Sequence, residues 1–171
     1  RVIDIAAAEN HQYMHQATMN IVGHCGASLR AILEGMNLTN LWPDNEISTA
    51  KAGLITAFPK DEEWGAGAIV DVARDVLPDN TIATVDSGAH RILLSQMWDT
   101  YEPRSLLQSS ALCTMGCAVP LALGAKLTDP NRPVVSFSGD AGFLMVAGEL
   151  STAAELDLPV IFVVFVDASL A

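Results

Sequence analysis

Pro133-Val134-Val135-Ser136-Phe137-Ser138 runs straight into Gly139-Asp140-Ala141-Gly142, and this stretch decides the fold. Its first half is a short apolar run with the length and β-branched content of a buried strand. Its second half is a Gly-flanked Asp, the composition of a turn that leaves a strand and enters a helix. The residues after it, Phe143 to Leu156, read as that helix. A second run, Pro159 to Val166, then reads as another buried strand and ends in Asp167-Ala168-Ser169. Strands this uniformly apolar belong to parallel sheets covered on both faces. A strand, a helix and a parallel strand make one crossover unit, which puts both strand ends on the same sheet edge.

Working outward toward the N-terminus, the rhythm repeats. Glu63 to Val76 reads as a helix that stops before Pro78-Asp79-Asn80, and Thr81-Ile82-Ala83-Thr84-Val85 as a β-branched strand running into Asp86-Ser87-Gly88. Ala89 to Trp98 and the apolar Cys117 to Leu127 read as two more helices. The expected fold class is α/β, a doubly wound parallel sheet with helices on both faces. Residues 36–62, with Trp42-Pro43-Asp44-Asn45, Pro59 and the acidic Lys60-Asp61-Glu62, lack sustained periodicity and read as a linker. Residues 1–35 read as a strand, a polar loop and a helix, Ala27 to Glu34, closed by Gly35. The expected organisation is the end of one domain at 1–35, a linker at 36–62 and a second domain at 63–171, cut as a window from a longer polypeptide.

Composition narrows the function classes. The 171 residues are 50% hydrophobic and 17% charged, a globular composition and not a disordered or collagen-like one. Nine Lys and Arg against 20 Asp and Glu leave a formal net charge of -11, which argues against a nucleic-acid groove or an anionic membrane surface. No apolar run reaches the ~18 residues of a membrane-spanning helix. Cys25, Cys113 and Cys117 are odd in number and lack metal-site spacing, so reduced thiols and a cytoplasmic location are expected. His11 and His15 stand at i, i+4 spacing but have no third ligand beside them.

The chemistry concentrates at the strand ends, where ligands bind in such folds. Asp140 and Asp167 are 27 positions apart, separated by one helix and one strand, so both carboxylates are expected on one sheet edge. Two oxygen ligands there suit Mg²⁺ or Ca²⁺ together with phosphate oxygens. Backbone amides of a glycine-rich turn receive an anion directly.

Ser138-Gly139-Asp140-Ala141-Gly142-Phe143 with Asp167 resembles the thiamin diphosphate motif, in which Gly-Asp-Gly or Gly-Asp-Ala precedes Asn-Asn by some 25 to 30 residues. Three further blocks agree in order: Thr81 to His90, Leu112 to Leu127 and Asp129 to Val135. Together they are similar to the diphosphate-binding domain of the acetolactate synthase-like, thiamin diphosphate-dependent enzymes. The resemblance covers residues 63–171, and more weakly the end of that family's central domain at 1–35.

The resemblance implies thiamin diphosphate and Mg²⁺ as cofactors. Asp140, the side chain of Asp167 and the backbone carbonyl of Ser169 would hold the metal. Ser87, Gly88, Ala89 and His90, with Gly139, Ala141 and Gly142, would cradle the diphosphate. The Cys113 carbonyl and the Met115 amide would meet the aminopyrimidine, with the Met115 side chain wedged beneath it and Met145 lining the same pocket. Without the resemblance, His90 reads as a helix cap and the two methionines as core fillers. Two positions depart from the pattern: Val166-Asp167 stands where the family has Asn-Asn, and Cys113 where it commonly has Gly.

The implied activity is decarboxylation of a 2-oxo acid and transfer or release of its acyl unit, as a transferase or lyase, in a homodimer or homotetramer. The activating Glu of the family, which protonates the pyrimidine N1′, sits in its N-terminal domain and comes from a second subunit, so no catalytic residue is expected in this chain. The alternative is a non-catalytic cofactor- or nucleotide-binding module of the same fold. A Gly-x-Gly-x-x-Gly turn would favour a dinucleotide, and the sequence contains none.

Overall fold

The computed structural model describes residues 1–11, 16–37, 42, 45–59 and 63–167. The chain divides into two compact units, Arg1–Ile47 and Ser48–Ala171.

In the first unit, β1 (Ile3–Ala6) and β2 (Met19–Val22) pair in parallel, with Ile3 opposite Met19 and Ala6 opposite Val22. The helix α1 (Cys25–Gly35) follows. The His24 side chain caps it, Nδ1 accepting from the Ala27 amide at 3.2 Å. The sequence reading has only a polar loop where β2 stands, because four residues give too little alternation to register as a strand. The helix also starts two residues earlier than its periodicity suggests, and its C-cap is Met36, so Gly35 is its last helical residue. His11 is exposed, 3.5 Å from the Glu9 carboxylate, and His15 lies outside the described residues.

The stretch expected to be a linker contains a 12-residue helix, α2 (Glu46–Ala57). Glu46 in its first turn suits the helix dipole. None of its residues is buried, which is why its sequence shows no apolar stripe.

The second unit then alternates helix and strand: α3 (Ala66–Val76), β3 (Ile82–Val85), α4 (Ala89–Met97), β4 (Leu106–Gln108), α5 (Ala118–Thr128), β5 (Val134–Gly139), α6 (Asp140–Met145), α7 (Glu149–Glu155) and β6 (Ile161–Phe165). The strands form one sheet in the order β4-β3-β5-β6, every pair parallel. The doubly wound α/β expectation holds. Two details differ. The three-residue β4 is too short to show in the sequence, and the helix expected at Phe143–Leu156 is two short ones. α6 begins at once after β5, and the break falls at Val146-Ala147-Gly148, where Val146 leaves helical geometry at φ -129°.

Period-2 alternation sorts the strand side chains between two faces. Ala83, Val85, Val135 and Phe137 point to one face and pack with Val70 of α3 and with Leu94 and Trp98 of α4. Ile82 and Val134 point to the other and meet Ala122 of α5. Each large side chain buried this way contributes about 1.5–3 kcal/mol. Helix α5 is buried along Ala118, Val119, Ala122, Leu123 and Lys126, and its Pro120 falls in the first turn, where no intrahelical bond is lost. The Lys126 ammonium is held by the Pro130 and Arg132 carbonyls at 2.9 and 2.8 Å. On the opposite face the Arg74 guanidinium lies 4.6 Å from the Trp98 ring centroid and donates to the Leu77 and Pro78 carbonyls. None of the described helices is long and apolar enough to cross a membrane.

From β3 the chain moves to β4 on one side, then crosses back to β5 on the other. That reversal makes a topological switch point between β3 and β5, and a crevice opens at their carboxyl ends.

Candidate functional site

A cleft of about 490 Å³ lies at this switch point. It is built from the residues that follow β3 (Ser87 to His90), those that follow β5 (Gly139 to Gly142), Met115 from the loop before α5, and Asp167 after β6. Thus ten of the thirteen expected site residues share one cavity. The register explains the carboxylates: Gly139 pairs with Phe165, so Asp140 and Asp167 leave neighbouring strands one and two residues beyond the last pair. Ser169 lies outside the described residues.

Cys113 and Met145 are not in the lining. Cys113 is exposed, adopts φ 49°, and accepts a hydrogen bond on Sγ from Arg91 Nη1 at 3.1 Å. Met145 is 63% exposed and stands beside the Met115 loop: a Cβ placed on Gly116 would lie 3.5 Å from the Met145 Cβ.

The amides are distributed unevenly. Ser87 N–H donates to Asp86 Oδ1 at 2.8 Å, and Ala141 N–H donates to Asp140 Oδ1 at 2.7 Å, so both already have acceptors. The Arg91 amide of α4 donates to the Gly88 carbonyl at 3.0 Å, whereas the first two amides, of Ala89 and His90, precede any intrahelical acceptor and border the cleft. Gly88 precedes them at φ 146°, and a Cβ there would stand 2.7 Å from His90 Cε1. Only glycine leaves that cradle open.

His90 forms the wall. Its ring stacks on Phe165, and its Nε2 is buried with no hydrogen-bond partner among the described residues. Burial pushes the imidazole below the ordinary histidine value of 6.5, although the Asp86 carboxylate pulls the other way. The ring therefore leaves one buried polar atom, Nε2, unmatched at the wall of the cleft.

Charge completes the picture. Among the described residues the lining includes Asp140 and Asp167 but no Lys or Arg. A bound cation would offset the repulsion these carboxylates exert on an anion, and two carboxylates on one cleft are suitable hard-oxygen ligands. Among the described residues no group of three or more His, Cys, Asp or Glu side chains gathers, so any further ligands would be backbone, solvent or anion oxygens. Glycine cradle, orphaned imidazole and cation-demanding carboxylates together fit a metal-bound diphosphate.

Several lining residues escape a sequence reading. Trp64, Gly65, Ala66 and Ile69 approach from the start of α3, and Val164 to Val166 from β6. Trp64 is 83% exposed and carries no local motif. The strand order alone shows that α3 borders the switch point. Asp86 is also missed: it is completely buried beneath the cleft, and its partners are some 30 residues away.

Comparison with known proteins agrees with this geometry. Residues 86–171 match the family described as thiamine pyrophosphate enzyme, C-terminal TPP binding domain. The chain is 42% identical over 101 residues to the acetolactate synthase of Bacillus subtilis, covering 59% of this chain and 18% of that protein. It is 44% identical over 86 residues to the probable acetolactate synthase large subunit of Methanocaldococcus jannaschii, covering 50% and 15%. With the probable large subunit of Methanococcus aeolicus it shares 41% over 129 residues, covering 72% and 22%. The matched segments are 15%, 18% and 22% of these relatives' lengths.

Proposed function

This chain belongs to the thiamine pyrophosphate enzymes, through their C-terminal TPP-binding domain, and from that premise we propose that its cleft holds thiamin diphosphate with Mg²⁺ for acetolactate synthase-like chemistry on a 2-oxo acid. The observation that supports this most directly is the pairing at one crevice of a cation-demanding carboxylate pair, Asp140 and Asp167, with the buried, unpartnered His90 Nε2.

In this reading Asp140 and Asp167 bind the metal, and the metal offsets the charge of the diphosphate. The open turn at Gly88 admits phosphate oxygens, the Ala89 and His90 amides meet them, and the His90 ring walls the cleft beside them. Gly139 and Gly142 let the anion approach β5 closely. Met115, 40% exposed at the cleft edge, offers an apolar surface for the thiamin rings. Cys113 contributes its backbone and Met145 stands beside the loop. Ser169 adds its carbonyl to the metal. When bound, thiamin diphosphate supplies the electron sink that lets a 2-oxo acid lose CO₂ and pass on its acyl unit. The activating Glu comes from a second subunit of a homo-oligomer in the cytoplasm.

Calorimetric titration of thiamin diphosphate with Mg²⁺ into the intact protein is the test. Saturable heat with wild type, lost in Asp140→Ala, is expected. Absence of heat with wild type, or unchanged heat with Asp140→Ala, would sink the assignment.

A further inference from the structure

Asp86 is the only carboxylate among the described residues with no exposed surface, and nothing in the chemistry above uses it. Its Oδ2 accepts the Gly116 amide at 2.9 Å. Its Oδ1 accepts the amides of Ser87 at 2.8 Å and Cys117 at 3.2 Å. On the remaining side Gly142 presses so close that a Cβ there would overlap Oδ2. One buried carboxylate therefore touches the turn after β3, the loop carrying Met115 and the first turn of α6. Those three segments make up most of the cleft.

We propose that Asp86 is a positioning residue: it fixes the Met115 loop against the β5-α6 turn and so sets the width of the cleft where the thiamin rings lie. The proposal rests on the thiamin diphosphate reading of the cleft. A burial this complete is tolerated because the charge is spread over three backbone donors. Its chemistry also tells Asp from Asn. The backbone partners of the two oxygens, at Ser87, Gly116 and Cys117, are all N–H donors, so an amide at position 86 would turn an NH₂ against one of them. Ser87 is the adjacent residue and keeps its place through β3. Gly116 and Cys117, in contrast, lie in a loop tied to the strand end by these bonds. Loss of the carboxylate should therefore free the thiamin end of the cleft more than the diphosphate end.

The test uses the intact protein, with Asp86→Asn and Gly142→Ala as separate variants. The second leaves Asp86 in place but pushes its carboxylate away from Gly116. Hydrogen-exchange mass spectrometry reads the 113–117 loop without cofactor, and calorimetry compares thiamin diphosphate with inorganic pyrophosphate, each with Mg²⁺. In both variants loop exchange should rise at least ~10-fold, with β5 unchanged, as expected when bonds to a charged group are lost. In Asp86→Asn, affinity for thiamin diphosphate should fall ~10- to 100-fold and for pyrophosphate less than ~3-fold. Unchanged loop exchange in either folded variant, or equal losses for the two ligands in Asp86→Asn, would overturn the proposal. If Asp86→Asn does not fold, Gly142→Ala, whose own side chain would meet the diphosphate, decides by loop exchange alone. A wild type that binds pyrophosphate but gains nothing from the thiamin moiety overturns the cofactor reading instead, while loop exchange still decides whether Asp86 braces the loop.

Discussion

His90 lies against Phe165 with ring centroids 5.5 Å apart and planes 22° from parallel. Phe165 in turn stacks on Phe137, 6.2 Å away, so the imidazole is the last ring of a column that starts in the core. That setting disfavours the imidazolium, and it has a consequence for stability. Because the folded protein holds its pKa below the unfolded value of 6.5, the unfolded chain takes up the proton first. Stability from a neutral His90 is full above pH 6.5 and declines as pH falls from there toward the folded pKa. Melting temperatures from pH 8 to 5 should show this decline in wild type and a shallower one in His90→Gln. Parallel profiles would contradict it.

Cys117 should be the slow thiol. Burial raises its pKa, the Asp86 charge raises it further, and a backbone contact from Ser109 opposes the rise only in part. Cys25 and Cys113 are exposed. Alkylation by iodoacetamide at pH 8, followed by peptide mass spectrometry, should modify both at least ~10-fold faster than Cys117. Equal rates at the three sites would refute the assignment.

The Met115 loop carries a backbone cost at Cys113, which adopts φ 49°. A non-glycine residue there costs about 1–2 kcal/mol, against roughly 0.5–1 kcal/mol of extra chain entropy lost by glycine. Cys113→Gly should therefore stabilise the protein by about 0.5–1 kcal/mol in denaturant unfolding. A loss of similar size would mean that the Arg91 contact to Sγ outweighs the backbone relief.

The proposed reading of the cleft makes diphosphate binding depend on a cation. Removal of divalent ions with EDTA should abolish binding of thiamin diphosphate, and Mg²⁺ should restore it. Asp167→Asn keeps an oxygen ligand, so affinity should stay within ~10-fold of wild type. Binding that survives EDTA would mean that the backbone amides hold the diphosphate unaided, and would contradict the metal-bound reading.

Much of this architecture is visible in the residue order. β5 declares itself as a largely apolar run that is buried, and β6 as a run that is apolar throughout, and the 27-residue interval from Asp140 to Asp167 holds one crossover, which fixes both on one edge. What stays hidden is short or distant. Four residues at β2 and three at β4 acquire strand character only from their neighbours in the sheet. Helix α2 buries nothing and so leaves no periodic trace. The break between α6 and α7 rests on Val146 and Gly148, either of which a helix would tolerate alone. Trp64 reaches the cleft, and Asp86 its amides, through contacts across the sheet that no local motif encodes.

The close approach of Gly142 to Asp86 also constrains how such a chain can change over time. A side chain at 142 is compatible only with a shorter or displaced residue at 86, and a shorter residue at 86 leaves the Gly116 and Cys117 amides without their acceptor. Neither position can drift by single steps. Among descendants of this sequence, positions 86 and 142 are expected to change together with the 116–117 backbone or not at all.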